Sequence, residues 1–533
     1  MASSPSLEPL QSLYCLPPEL LHIVFTQLPN RDVKNLRLTS RFMRDIARLR
    51  LQRVFISANQ RDIQVLRAIA DDETFRSQVT ELVWDDSRWT DLPEPRRLGG
   101  FGSLGSSGQS PPRWFTMARD DNVFEIKSRR GFDVDRPDHA AREKQLAAQM
   151  PPLESWQYYQ ALLRQQRQVL ASGADAEALR YALERFPSLK RITLTPAAHG
   201  FLFTPLYDTP LIRSLPYGFN YPQPRGWPFA GDQDQAPRAP QWDDSEQIKN
   251  QWRGFRIITQ VLAQMESRHR ITDLILDVSL LNTGLNCHVF DKPCDEYHDL
   301  VSTLRRPGFR RLDLSLLVGG LERQEWVSYR SGYLRRALAE ATDLEHISLH
   351  TNVEQDPDGS AAQVEGSIKH FNSLHSIFPI ERWSRLQHFG LSGFLVTQDD
   401  VVSFLSALPA TVRSVELSFL HFVEHRGHYR GLLADMRDKL GWRERDAQDR
   451  PRITIGVALD TKRSGRAVWV SEEAEAFVYG RGPNPFGGED GSFPYQVQRG
   501  FAGVERDEFE PAHERPYTQP KVLRQLGIFG SGS

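Results

Sequence analysis

Apolar positions along this chain fall into two recurring patterns, one short and one long. Over residues 16–47, Leu20, Val24 and Leu28 stand four apart with Leu21 and Phe25 beside them. That spacing predicts a helix that Pro17 and Pro18 can open and Pro29 ends. Asp32 can cap a second short helix carrying Val33 and Leu36, and Ser40 a third with Phe42, Ile46 and Leu49 turned inward. A unit below about 40 residues rarely folds unaided. Its surplus of apolar surface marks a docking face for another protein.

The second pattern is apolar-x-x-apolar-x-apolar, and it repeats. It is met at Leu189/Ile192/Leu194, Ile271/Leu274/Leu276, Phe309/Leu312/Leu314, Leu344/Ile347/Leu349, Leu386/Phe389/Leu391 and Val412/Val415/Leu417. Val79/Leu82/Trp84 is an earlier copy and Ile453/Ile455 a degenerate late one. The last two apolar positions alternate as a half-buried strand requires. Helical segments precede most copies: Leu179 to Leu183, Val261 to Met265, Leu300 to Leu304, Leu334 to Leu338 and Val402 to Leu405. A helix–strand unit that cannot bury its own face stacks on its neighbours, which predicts an α/β solenoid with a curved, largely parallel sheet. An ordinary mixed α/β domain with a parallel sheet is the alternative.

Two inserts interrupt the repeats. Residues 90–150 begin with a run of Gly and Ser (Gly99 to Gly108) and read as flexible. Residues 196–245 hold nine prolines, with nine aromatics between Phe201 and Trp242. Plain disorder is poor in aromatics, so this loop is expected to pack over the repeat surface. Between them, Trp156, Tyr159, Leu163 and Leu170 line one side of a helix. From 461 to 533 the chain reads as an irregular tail, with Phe486 a candidate anchor against the last repeat.

Residues 16–47 resemble the F-box. The elements of that motif are Leu16-Pro17, Glu19-Leu20-Leu21, Phe25, Leu28-Pro29, Asp32-Val33, Leu36-Arg37 and Ser40-Arg41; many members carry Cys and Trp where Phe42 and Met43 stand. The repeats resemble a divergent leucine-rich repeat. Middle positions from Leu274 to Val415 lie 38, 35, 42 and 26 residues apart, mostly longer than the ~20–29 of regular repeats. The Asn that usually follows the strand stands only at Asn352. Both features, and Asn484-Pro485-Phe486, are similar to F-box proteins of filamentous fungi. The expected layout is an F-box at 13–57, a first helix–strand unit at 58–89, the flexible insert at 90–150, the repeat domain at 151–460 and the tail.

Composition narrows the class. Hydrophobic content of 39% with 25% charged residues suits a soluble globular chain. No run approaches the ~18 apolar residues that span a bilayer, so no membrane is expected. Three cysteines, no Asn-x-Ser/Thr acceptor and no signal-peptide layout point to the cytoplasm, the nucleus or both. A net charge of −2 disfavours polyanions. Residues 1–60 carry a surplus of +4, but the turn before Ser40 lacks the Gly common in helix-turn-helix units, and no nucleic-acid partner is expected.

Three motifs tempt and fail. Gly100 to Gly105 has dinucleotide-binding spacing, without a strand before it or a helix after it. His421-Phe422-Val423-Glu424-His425 has the spacing of a zinc peptidase only if it lies on a helix, and here it follows a strand and runs into Gly427. Cys287, His288, Cys294 and His298 depart from structural zinc spacing. Neither a catalytic set, a metal nor a cofactor is expected.

The resemblance implies a substrate-recognition subunit of an SCF-type ubiquitin ligase and not an enzyme. The F-box would dock on the Skp adaptor, through it cullin, while the repeats hold an unidentified protein client. Leu16, Pro17, Leu20, Ile23, Val24, Leu28, Leu36 and Leu38 are the expected adaptor-binding residues, Val24 and Leu36 being the two most suited to the core instead. A non-ligase F-box scaffold and, more remotely, a zinc hydrolase using His421 and His425 are the alternatives.

Overall fold

The computed structural model describes residues 16–28, 30–90, 110–129, 137–200, 202–228, 237–279, 281, 283–319, 326–352, 371–458 and 467–486. Three short helices come first: α1 (Pro18–Thr26), α2 (Asn30–Thr39) and α3 (Arg41–Ile46). One large parallel sheet follows. The strands from there on are β1 (Arg53–Ser57), β2 (Glu81–Asp85), β3 (Arg191–Thr195), β4 (Asp273–Leu276), β5 (Leu285–Asn286), β6 (Arg311–Leu317), β7 (His346–Thr351), β8 (His388–Ser392), β9 (Leu395–Val396), β10 (Ser414–Ser418), β11 (His421–Phe422) and β12 (Arg452–Thr454), all in that sheet except β9 and β11.

The sheet order is β1-β2-β3-β4-β6-β7-β8-β10-β12, so strands pair in the order they occur along the chain, with β5 a short addition beside β6. Strands β9 and β11 pair separately. An antiparallel pair, β13 (Gly456–Ala458) and β14 (Ala467–Trp469), follows β12.

Register explains why the repeat pattern exists. Val54, Leu82, Ile192, Leu274, Leu312, Ile347, Phe389, Val415 and Ile453 are register partners in one row across the sheet. All nine are buried. Side chains alternate between sheet faces, so the next apolar position of each copy joins the same face. The first apolar residue of each copy, from Val79 to Val412, is buried too. Against that face lie helices 60–71, 174–185, 253–264, 295–304 and 333–340, each packed on the next; 398–406, 429–439 and 471–479 continue the series. Complete burial of one such side chain contributes about 1.5–3 kcal/mol. Helix starts are set locally: Asn59, Thr397 and His428 side chains accept from backbone N–H groups of the helices they precede.

Strand entry is equally regular. The carbonyls of Thr80, Lys190, Thr272, Arg310, Glu345 and Gln387 each accept from two consecutive N–H groups of the following strand's entry. That stitches the amino ends of the strands into a ladder and gives these backbone groups partners.

Several expectations change. Arg53–Ser57 is the first strand of the sheet, so the helical unit ends before it rather than at 57. The flexible reading of 90–150 fails for Arg113–Arg129 and Pro137–Ala147, which are helical. Trp114 and Phe115 there supply what the Gly/Ser run lacks, packing on Trp156 and Tyr159 of helix Pro152–Ser172. The Gly/Ser run itself, Gly99 to Gly108, lies outside the described residues. Insert 196–245 does pack down: Trp227 and Trp242 enter the main core, while Phe219 and Tyr221 join a second one around Tyr159 and Trp89. The tail is regular over part of its described length: β14 and helix Ser471–Tyr479 form there, and Phe477 and Val478 are buried. Phe486 stacks on Tyr429 with ring centroids 5.0 Å apart.

Candidate functional site

Helices α1–α3 close around a very small core of Leu21, Phe25, Val33, Met43 and Ala47, with Leu16, Leu28, Leu36, Ile46 and Leu49 partly buried against it. Polar closures compensate for its size. The Ser40 hydroxyl accepts from Met43 N–H at 3.1 Å and caps α3. Arg37 donates to the carbonyls of Arg44 and Ala47 at 2.8 and 2.7 Å. Asn30 accepts from the Arg50 N–H at 2.9 Å, and the Arg50 guanidinium donates to the carbonyls of Thr26 and Leu28. These arginines satisfy helix-end carbonyls that have no partner within their own helix.

Outside this core lies an apolar patch. Leu20, Ile23, Val24, Leu38 and Phe42 are 47, 58, 38, 85 and 42% exposed. Ten large apolar side chains are exposed among the described residues, and half of them fall within these 23 positions. That concentration, on a unit with five core residues, is the signature of a covered face.

The expected adaptor-binding residues divide. Pro17, Leu20, Ile23, Val24 and Leu38 face solvent, whereas Leu16, Leu28 and Leu36 are half-buried against the core. Val24, expected at the adaptor face with the core as its alternative, faces solvent because α1 turns Leu21 and Phe25 inward, four apart, leaving Leu20 and Val24 on the flank. Phe42, expected inside, is exposed, while Met43 is buried. The Ser40 cap fixes the phase of α3 so that Met43, Ile46 and Ala47 share the inner face.

The sheet's polar face is the second region of interest. Its lowest row runs Arg53, Glu81, Arg191, Asp273, Arg311, His346, His388, Ser414 and Arg452. Opposite charges sit on adjacent strands: Arg53 to Glu81 at 2.6 Å and Arg191 to Asp273 at 3.3 Å. Asp313 accepts from Arg311 at 2.7 Å and from His346 Nε2 at 2.8 Å. Burial alone would raise its carboxyl, but those two partners hold it far below the usual carboxylate range. Burial, with His346 alongside, keeps His388 well below the ordinary imidazole value, and His388 Nδ1 bonds Ser414 Oγ at 2.7 Å. Over β1–β4 this face is roofed by the insert, where the Arg53 guanidinium lies 5.4 Å from the Tyr207 ring.

The metal-like motifs separate in space. His421 is buried on β11, whereas His425 has φ of +57° in a turn and is exposed, so no helix face carries both. The geometry a zinc hydrolase needs from this motif is not formed. Cys287 is buried in a 3-10 turn, His288 bonds Asp291 at 2.7 Å, and His298 is exposed on another helix. Among the described residues no group of three or more His, Cys, Asp or Glu is placed to hold a metal, and no helix is long and apolar enough to cross a membrane.

A three-helix unit with a sparse core and a concentrated apolar flank defines a protein-docking module. Residues 13–52 match the F-box domain family, which makes this module an F-box. The match ends immediately before β1, in agreement with the structural boundary. No curated protein matches the chain. F-box domains bind the Skp adaptor, and the domain implies an adaptor-type role in ubiquitin ligase complexes.

Proposed function

We propose that this chain is the substrate-recognition subunit of an SCF-type ubiquitin ligase. The F-box seats its exposed flank (Leu20, Ile23, Val24, Leu38 and Phe42) on the Skp adaptor, and through it cullin. The α/β domain holds a protein client. Its strand-by-strand sequential pairing and single buried row support reading it as a divergent leucine-rich-repeat-like solenoid of the filamentous-fungal type. Mechanism is then proximity: two surfaces on one chain raise the client's effective concentration near the ubiquitin-carrying partner. The chain contributes no active site of its own and works in the cytoplasm, the nucleus or both.

The observation that carries this reading is the apolar flank on a domain of the F-box family. Affinity purification of the full chain tests it. Wild type is expected to bring down both adaptor and cullin, and Ile23→Asp with Leu38→Asp neither. Adaptor without cullin would replace the ligase reading with an adaptor-bound scaffold.

A further inference from the structure

The segments that lead into the sheet are far more basic than the chain as a whole. Residues 186–190, 265–272, 305–310, 341–345, 378–387 and 407–413 run from a helix into β3, β4, β6, β7, β8 and β10. Together they hold nine Lys/Arg against four Asp/Glu, in a chain whose net charge is −2. Eight of the nine cations are exposed. Every segment ends at the amino end of a parallel strand, so these cations share one edge of the sheet. The ladder of entry carbonyls fixes that edge, with Thr272, Arg310, Glu345 and Gln387 each holding two N–H groups of the next strand's entry. The chain also arrives from the F-box on this edge, where the Gln52 carbonyl accepts from the N–H groups of Thr80 and Glu81.

Charge is not uniform along the edge. Arg268, Arg270 and Arg310 lie before β4 and β6, and Arg382, Arg385 and Arg413 before β8 and β10; Asp343 and Glu345, before β7, divide the two groups. Glu345 lies 3.8 Å from Arg310 and 3.1 Å from Arg385, and Asp343 3.7 Å from Arg385. Arg268 faces Glu184 at 3.6 Å and Arg413 faces Asp449 at 2.8 Å. Exposed pairs of this kind are worth about 0–1 kcal/mol, so these arginines can exchange them for another carboxylate.

We propose that this edge of the sheet is a docking surface for an extended acidic segment of the client protein, its carboxylates falling in two groups that match the two groups of arginines. The inference rests on the client-holding role proposed above and supplies its chemistry. Neighbouring strands lie about 4.8 Å apart, so the centres of the two basic groups are about 14 Å apart, the span of about four residues of extended chain. A guanidinium presents a planar fork that takes a carboxylate through two hydrogen bonds. The acids before β7 set the choice of partner. They repel an unbroken polyanion such as a nucleic-acid backbone and leave a peptide with a neutral middle unopposed.

Fluorescence anisotropy of labelled peptides titrated with the full chain tests this, at about 50 mM salt, where exposed charges are weakly screened. Glu-Glu-Ser-Ser-Glu-Glu should bind saturably, and at least about fivefold more tightly than Ser-Glu-Glu-Glu-Glu-Ser, which carries the same charge in one block. Raising the salt to about 500 mM should weaken it at least about tenfold. Arg270→Glu with Arg382→Glu, one exposed reversal in each group, should also cost at least about tenfold. Arg426→Glu, exposed beyond the carboxyl end of β10, should bind as wild type does. The proposal is overturned by absent or salt-indifferent binding in wild type, or by equal binding of the two peptides. It is overturned too if the double reversal binds like wild type, if Arg426→Glu loses as much, or if a short DNA duplex binds more tightly than the split peptide. Capture of the Skp adaptor by the same proteins keeps the two readings apart. A wild type that holds the adaptor but not the peptide removes the edge alone, whereas one that fails to hold the adaptor removes the ligase reading. If the double reversal lowers the melting temperature, Arg270→Gln with Arg382→Gln is judged by the same criterion.

Discussion

The imidazole of His346 lies flat on that of His388, ring centroids 4.0 Å apart and planes within 12°. They are direct register partners on β7 and β8, and Gly390 two residues on leaves room above them beside Ser348. His346 is hydrogen-bonded to Asp313 and His388 to Ser414, so two hydrogen bonds joined by a ring stack cross four strands. Burial first, and the neighbouring His346 ring second, hold His388 well below the ordinary imidazole value.

That neutrality predicts a pH effect. His388 is held below its unfolded value, so the folded state binds fewer protons and its contribution is complete above about pH 6.5 and lost as pH falls below it. Wild type should therefore lose about 1–2 kcal/mol relative to His388→Asn between about pH 6.5 and 5. Urea midpoints measured at both ends check it; parallel pH slopes for the two proteins would refute the assignment.

The continuous buried row makes a second prediction. Leu312 sits fully buried between Leu274 and Ile347. Leu312→Ala should cost about 2–5 kcal/mol, whereas Arg452→Ala, exposed at the sheet edge, should stay within about 0.5. Denaturant titration of both separates a packed row from a merely apolar one.

Phe486 makes a third. Its ring stacks on Tyr429, and Asn484 Nδ2 donates to the Arg430 carbonyl at 3.0 Å, so the chain is tied back to helix 429–439. Phe486→Ala should free residues 482–486 and cost about 3 kcal/mol. Hydrogen exchange over 429–439 and a lowered melting temperature would show it; unchanged exchange there would contradict it.

How much of this was readable in advance depended on whether burial followed a period. The six full repeat copies lie on β3, β4, β6, β7, β8 and β10 because their alternation reports a sheet face directly. Val54 and Ile56 show the same alternation on β1, but no helix of the series precedes them and the F-box runs up to them, so the strand hid in the wrong domain. Helices 113–129 and 137–147 were masked by their low-complexity neighbour, and the contacts of Trp114 and Phe115 to Trp156 and Tyr159 are long-range. Asp62, Asp85 and Asp86 look like solvated charges in sequence, yet the fold buries all three, with Leu211 and Trp227 reaching Asp62 and Asp86 from far along the chain. In the F-box the motif located the module, while the facing of Val24 and Phe42 was settled by helix phase.

The central claim is that the F-box flank, and not its core, docks the adaptor. Titration calorimetry of the full chain against purified Skp adaptor measures this directly, using wild type, Ile23→Asp/Leu38→Asp, and Arg452→Ala as a distant control. The account predicts tight binding by wild type and the control. The double variant should bind at least about thirtyfold more weakly, two anchors at about 1–3 kcal/mol each, with its melting temperature unchanged. Equal affinity for wild type and the double variant would contradict it.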